Sequence, residues 1–407
     1  MDKRVVITGL GLYSSIGIGK EEVTQSLRMG KSGIIYDSSR EDFGYRSALT
    51  GMVEEPNLKG ELTRRQRIGM GQPALYSYCA TKEALEQAKI NIEYLEKNET
   101  GIIYGNDSTA AAVIETIDKI RSKKDTTLVG SGHIFKNMNS SVTMNLATIF
   151  KLKGINLTLS AACASGSHSI GMGFLLIKQG LQERVICGGA QEVNPYAMGS
   201  FDGLGVFSMQ TANPQKASRP FDKNRDGLIP SGGAATLILE SLESAQKRGV
   251  EILGEVVSYG FSGNGEHLSN PNLDGQYKSL QMALQQAKMQ SSDINYINAH
   301  ATSTPVGDGI EAQAIFNVFG AKTAVSSTKS MTGHECWMAG ASEVAYSILM
   351  MQNNFIAPNI NFEVPDEHSK NINIISETKE QKIDCILSNS FGFGGTNSSI
   401  IVKKFVT

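Results

Sequence analysis

Short β-branched runs, each stopping at a glycine or a polar loop and followed by a segment of helical period, recur from Arg4 to Lys403. Alternation of this kind predicts an α/β fold, with helices covering a mostly parallel sheet. Residues 4–8 (RVVIT) read as a buried strand, ending in a loop at Gly9-Leu10-Gly11 before a helix over 20–28. Strands follow at 100–104, 155–159, 184–187 (closed by Gly188-Gly189) and 235–240, with helices at 140–150 and 243–248; residues 196–226 read as loop-rich. Near Gly254 the pattern restarts, with strands at 255–259, 294–298, 324–327, 384–387 and 399–403 and helices at 276–288, 311–319 and 339–352. The spacing predicts two similar halves, 1–253 and 254–407. They show no clear sequence repeat and no low-complexity linker, so they are expected to share one body.

A chain of 407 residues, 40% of them hydrophobic, is ample for a large core. Its net charge of −2 gives no sign of nucleic acid as a partner. Five cysteines without a CxxC pair argue against a disulfide framework or a zinc site. The start, MDKRVVITGLG, reads as a first strand and not as a signal peptide, and no apolar stretch is long enough to span a membrane. A soluble, cytoplasmic enzyme is the expectation. Two glycine signals are discounted: Gly9-x-Gly11 lacks its third glycine, the position being Ser14, and Gly30-Lys31-Ser32 follows a helix instead of preceding one.

The chemistry is expected to sit in Thr158 to Gly180, TLSAACASGSHSIGMGFLLIKQG. An apolar strand precedes Cys163, and Ile170, Phe174 and Ile177 recur after it at helical spacing. Cys163 therefore falls at a strand-to-helix turn, where free backbone N–H groups and the helix dipole favour an anion and a readily ionised thiol. Ala161, Ala162, Ala164, Ser165 and Gly166 leave room for a bulky thioester. The arrangement resembles a nucleophile elbow with sulfur in place of oxygen. Taken alone, Cys163 reads rather as a buried core cysteine at a close helix contact.

Three strand-end loops in the second half change that balance: Asn298 to Pro305 (NAHATSTP), Ser326 to His334 (SSTKSMTGH) and Ser388 to Asn397 (SNSFGFGGTN). Ligands of α/β sheets bind at the carboxyl ends of strands, so these loops and the Cys163 turn are expected to meet in one pocket. A cysteine with two histidines, His300 and His334, points to acyl chemistry. His168 reads as packing on the nucleophile helix, and His133, His267 and His368 as surface residues.

The stretches AACASGSH, STPVGD, TKSMTGH and NSFGFGGTN resemble those of the β-ketoacyl-[acyl-carrier-protein] synthases, decarboxylating condensing enzymes of the thiolase-like fold. The resemblance runs from RVVITGLG to GFGGTNSSIIV, and KASRPFD, NRDGL and FIAPNINFEVPDE are similar to the type I elongating branch of bacterial fatty acid synthesis. It implies a five-layer αβαβα body. It also implies that Cys163 carries the acyl chain as a thioester, while His300 and His334 decarboxylate the malonyl carrier. The backbone N–H groups of Cys163 and Phe393 would form the oxyanion hole, and Lys329 would pair with Glu343 near the histidines. Thr302 and Thr304 would bind the pantetheine arm, Asp308 would hold its loop, and Phe393 would gate the site on a loop freed by its glycines. No cofactor is implied beyond the carrier's 4'-phosphopantetheine, and no catalytic metal. A structural monovalent cation near Asn298, Glu343, Ser388 and Asn389 is expected by the same resemblance. So is a homodimer in which Met138 reaches the partner's acyl pocket. The basic cluster Arg64, Arg65 and Arg67, extended by Lys123-Lys124, is expected to dock the acidic carrier protein; otherwise it is a solvated face.

Two positions depart from the family pattern. Ala301 stands where glycine usually follows the first histidine. Glu335-Cys336-Trp337-Met338 replaces small residues and a leucine after His334, which puts the only tryptophan where a small residue is expected. Trp337 is therefore expected to reshape the acyl pocket, unless it only packs in the core or at a subunit contact. A thiolase would place a second cysteine at His334, and a starter-unit synthase would carry asparagine for one histidine. A non-catalytic partner subunit would have lost Cys163. An elongating synthase of a polyketide or polyene pathway would share all of these motifs.

Overall fold

The computed structural model describes residues 2–406. Its main sheet runs in the order Asn373–Ile374, Ala324–Ser326, Tyr296–Asn298, Cys385–Gly392, Thr396–Lys403, Gly254–Gly263, Val5–Ser14, Gly233–Ser241, Arg184–Gln191, Gly101–Gly105, Asn156–Leu159. Each half contributes the same sequence of neighbours about the central junction, where Val5–Ser14 meets Gly254–Gly263 antiparallel. The duplication that the element order implied is thus visible in the topology.

The sheet is mixed, not mostly parallel. Parallel pairing is confined to the two ends: Gly101–Gly105 with its neighbours, Tyr296–Asn298 with its neighbours, and Ala324–Ser326 with Asn373–Ile374. The middle is antiparallel because Cys385–Gly392 folds back on Thr396–Lys403 as a hairpin, and Val5–Ser14 pairs antiparallel on both sides. The stretch SNSFGFGGTN, read as a loop, is mostly strand; only Phe393–Gly395 turns.

Five layers are present. Gln72–Gln87 and Ser141–Phe150 cover the outer face of the first half, and Leu273–Ala287 with Pro305–Phe319 the outer face of the second. Between the two sheet halves lie Ser165–Lys178 and Ala339–Asn353, packed on each other. Every residue from Ala339 to Met351 is buried, as expected for a helix enclosed on all sides. Ile170, Phe174 and Ile177 meet Met338, Ala341, Val344 and Ile348 in one core cluster.

Gly9 and Gly11 lie inside a ten-residue strand, not in a loop. A Cβ on either would come within 2.1 and 1.9 Å of the Ala84 and Ala80 carbonyl oxygens. These glycines let a helix lie directly on the strand. Gly188 and Gly189 likewise continue the strand Arg184–Gln191. The basic cluster forms a separate one-turn helix, Arg64–Arg67, capped by Thr63 and Gln66, and does not run into Gln72–Gln87. Residues 196–226 contain the helices Pro195–Leu204 and Pro214–Ala217. The overlooked signal was Asn194-Pro195: the Asn194 side chain accepts from the Tyr196 and Ala197 N–H groups, with proline at the first helical position. The helix Ala110–Lys123 was also missed, being mostly exposed with only Ala112 buried.

Candidate active site

The strand Asn156–Leu159 delivers the chain to Ala162, a non-glycine residue held at φ +47°. That left-handed residue turns the backbone sharply before the helix Ser165–Lys178 begins. Cys163 stands at the elbow, buried, with the helix start behind it. The three loops of the second half reach the same place. Together they line a cavity of about 460 Å³ touched by Cys163, His300, His334, Thr302, Thr304 and Phe393.

His334 lies nearest the sulfur, its Nε2 3.0 Å from Cys163 Sγ. The His300 and His334 rings meet edge to face with centroids 5.4 Å apart. Burial and the nearby Lys329 charge hold both imidazoles well below their ordinary pKa, so both are neutral near pH 7. Both Nδ1 atoms are buried without a protein partner.

The expectation of a readily ionised thiol is not met. Burial pushes Cys163 up to about 12, against the pull of Lys329 and of the backbone N–H groups of Cys163 and Phe393. Asp107, whose carboxylate accepts from the Ala162 N–H, adds to the rise. Desolvation of an enclosed sulfur outweighs the helix start, and Cys163 rests as a thiol beside a neutral imidazole. The two backbone N–H groups that act on the sulfur are those expected for the oxyanion hole. Gly392 brings them together: a Cβ there would meet the Cys163 nitrogen at 3.2 Å.

Lys329 and Glu343 form a fully buried ion pair behind the histidines. Burial raises Glu343 to about 8, with Lys329 opposing. Asp308 accepts from the N–H groups of Thr302, Ser303, Thr304 and Phe221 at 2.8–3.2 Å and stands 3.7 Å from Arg225. It therefore fixes the loop that carries Thr302 and Thr304, whose hydroxyls are 3.1 Å apart. Phe393 stacks on Phe201, centroids 5.8 Å apart, over the positive-φ glycines Gly394 and Gly395.

Sequence reasoning missed three carboxyl groups. Glu311 accepts from the His300 and Ala301 N–H groups at 2.9 and 2.7 Å and from Asn389 at 3.0 Å, so it sets the first histidine loop. Burial raises it to about 7. Glu335 is fully buried and accepts from Ser342 and Tyr346; burial raises it to about 7. Asp107 is the third. None carries a motif, because each acts through backbone or hydroxyl groups remote in the chain.

His168 bridges Tyr259 and Thr396 from the nucleophile helix, and burial lowers it to about 4. His267 is exposed, while His133 and His368 are half-buried. Arg64 and Arg65 are exposed; Arg67 is half-buried and donates from Nε to the Leu62 carbonyl. Met138, 43% exposed, borders a shallow depression beside Leu157. Among the described residues no helix is long and apolar enough to cross a membrane.

The family described as beta-ketoacyl synthase matches in two parts, its N-terminal domain over residues 2–245 and its C-terminal domain over 253–363. The chain is 41% identical to 3-oxoacyl-[acyl-carrier-protein] synthase 1 of Haemophilus influenzae, over 99% of each chain. It superimposes on the crystal structure of a beta-ketoacyl synthase from Burkholderia phymatum with TM-score 0.94 and 32% identity, covering 99% of this chain and 100% of that one. A type II polyketide ketosynthase, solved in complex with its acyl-carrier protein and bound to the hexaketide, matches at TM-score 0.91 and 28% identity over the whole of both chains. The elbow cysteine, the paired histidines and the five layers that carry them agree with these matches: the chain belongs to the beta-ketoacyl synthase family and has its thiolase-like fold.

Proposed function

We propose that this protein is a 3-oxoacyl-[acyl-carrier-protein] synthase that lengthens fatty acyl chains by two carbons. The observation that carries the reading is the convergence of Cys163, His334 and His300 on one cavity, with both imidazoles neutral. In the first half-reaction Cys163 Sγ attacks the thioester carbonyl of an acyl carrier. The thiol proton passes by way of His334 Nε2 to the departing carrier sulfur; the carrier C–S bond breaks and the Cys163 C–S bond forms. The Cys163 and Phe393 N–H groups stabilise the oxyanion.

In the second half-reaction the malonyl thioester loses CO₂, and its bonding pair becomes an enolate. A neutral imidazole with its N–H directed at the thioester oxygen stabilises that charge, a role open to His300 and, once Cys163 is acylated and the ring proton lies on Nε2, to His334. The enolate carbon attacks the acyl–Cys163 carbonyl, the Cys163 C–S bond breaks, and the thiolate that leaves takes up a proton from solvent. The product is a 3-oxoacyl carrier. Lys329 acts here as a positioning charge that adds to burial in keeping both imidazoles neutral.

Acyl carrier protein is the proposed partner, with Arg64 and Arg65 as its docking patch. Thr302 and Thr304 are the proposed contacts of its pantetheine arm. A homodimer through the sheet edge Asn156–Leu159 is supported by the 43% exposure of Leu157 at that edge and by Met138 beside it. A structural monovalent cation fits beside Asn298: Glu343 Oε2 and Ser388 Oγ are buried there without partners, and Asn298 already contacts the Glu343 carbonyl. Five free cysteines suit a reducing, cytoplasmic setting. An elongating role in polyketide assembly is the second reading, supported by the likeness to a type II polyketide ketosynthase.

Incubation with malonyl- and acyl-carrier protein tests the proposal. CO₂ release with a 3-oxo product two carbons longer is expected. Thioester cleavage without malonyl consumption would refute it.

A further inference from the structure

Cys163 belongs at once to the cavity and to an apolar cluster with Met198, Phe207, Leu228, Cys336 and Trp337, and so marks their boundary. Trp337 is 6% exposed in that cluster. Its indole Nε1 donates to Ser108 Oγ at 3.3 Å, and its ring lies 6.2 Å from that of Phe201. The backbone that carries it is fixed. Cys336 is held at φ +48°, and a Cβ on Gly166 or Gly189 would lie 3.0 or 2.7 Å from the Trp337 carbonyl oxygen. The main chain therefore has no room to retreat, and only the side chain can move.

We propose that Trp337 and Ser108 form a length gate on the acyl chain held by Cys163, a reading that rests on the synthase function above. Acyl groups short enough to lie between the sulfur and the indole load in this conformation. Longer chains load only when the Trp337–Ser108 hydrogen bond opens and the indole swings aside. Packed sites reject a chain one methylene too long by roughly 10–200-fold, so a sharp limit is expected. The single hydrogen bond that holds the indole to Ser108 makes the limit adjustable.

The test is acylation of Cys163 by straight-chain acyl-carrier thioesters from two to fourteen carbons, followed by intact mass. The wild type should lose at least about tenfold in rate beyond its limit. Trp337→Gly should load the rejected chains within about tenfold of the short ones, and Ser108→Ala should move the limit in the same direction by less. An unchanged length profile in Trp337→Gly, or an equal loss at every length, overturns the gate. Should Trp337→Gly fail to fold, Ser108→Ala and the emission of the only tryptophan decide. Long-chain loading should shift that emission to the red and two-carbon loading should not; no shift with either overturns the gate. A wild type that acylates at no length removes the synthase reading itself, whereas acylation indifferent to length removes the gate alone.

Discussion

His334 Nε2 and Cys163 Sγ lie 3.0 Å apart across 171 positions of sequence. The histidine comes from the second half of the chain and the cysteine from the first. The contact exists because Ser165–Lys178 and Ala339–Asn353 pack on each other in the middle layer. It sets a buried thiol, raised to about 12, against a neutral imidazole.

That contact separates the roles of the two histidines. His300→Ala should still form the acyl-enzyme, because His334 faces the sulfur, but condensation should fall roughly 10²–10⁴-fold. His334→Ala should slow acylation as well. Cys163→Ala should form no acyl-enzyme. Intact mass after incubation with acyl carrier, set against CO₂ release from malonyl carrier, distinguishes the three.

Lys329 lowers the pKa of both His300 and His334. A histidine whose folded pKa is depressed keeps its neutral form until the pH falls well below 6.5. The acid limb of condensation should therefore lie well below 6.5 in the wild type. Removing the charge with its partner, in the double variant Lys329→Met, Glu343→Gln, should move that limb upward. A pH–rate profile of both proteins checks the direction.

Glu335 titrates near 7 in the folded protein because it is buried. Its folded pKa is raised, so the unfolded chain binds fewer protons between about pH 4.5 and 7. Its contribution is fully present below that window and is lost as pH rises through 7. Glu335→Gln removes this dependence. Relative to the wild type the variant should gain stability on the order of 3 kcal/mol between pH 5 and 8.5. Denaturant unfolding at the two pH values measures it.

Arg64 and Arg65 are exposed on a one-turn helix, within reach of an acidic surface. Arg64→Glu with Arg65→Glu should raise KM for the carrier protein about tenfold or more. Turnover of small pantetheine thioesters should stay unchanged, and the salt sensitivity of the carrier reaction should shrink.

Much of the site was legible in the residues. Glycine and small-residue loops after β-branched runs located Cys163, His300 and His334, because a strand end needs such residues to turn and to expose a side chain; Lys329 and Phe393 came only with the family resemblance. The helix Pro195–Leu204 was not found, since its packing face is short and interrupted by glycine. Phe201, which stacks on Phe393, went with it. Glu311 and Asp107 were invisible for another reason: each works by accepting backbone N–H groups, and no spacing in sequence records that.

The sequence by itself determined the alternation of strands and helices, the turn that presents Cys163, and the kind of chemistry that a thiol and two imidazoles perform. Local residue type and periodicity suffice for these. Only the tertiary structure decided that the thiol rests protonated, that both imidazoles are neutral, and that Trp337 shares an apolar cluster with Cys163 and has its nitrogen on Ser108. Protonation and pocket shape depend on how completely water is excluded. Exclusion is produced by elements that meet from opposite halves of the chain.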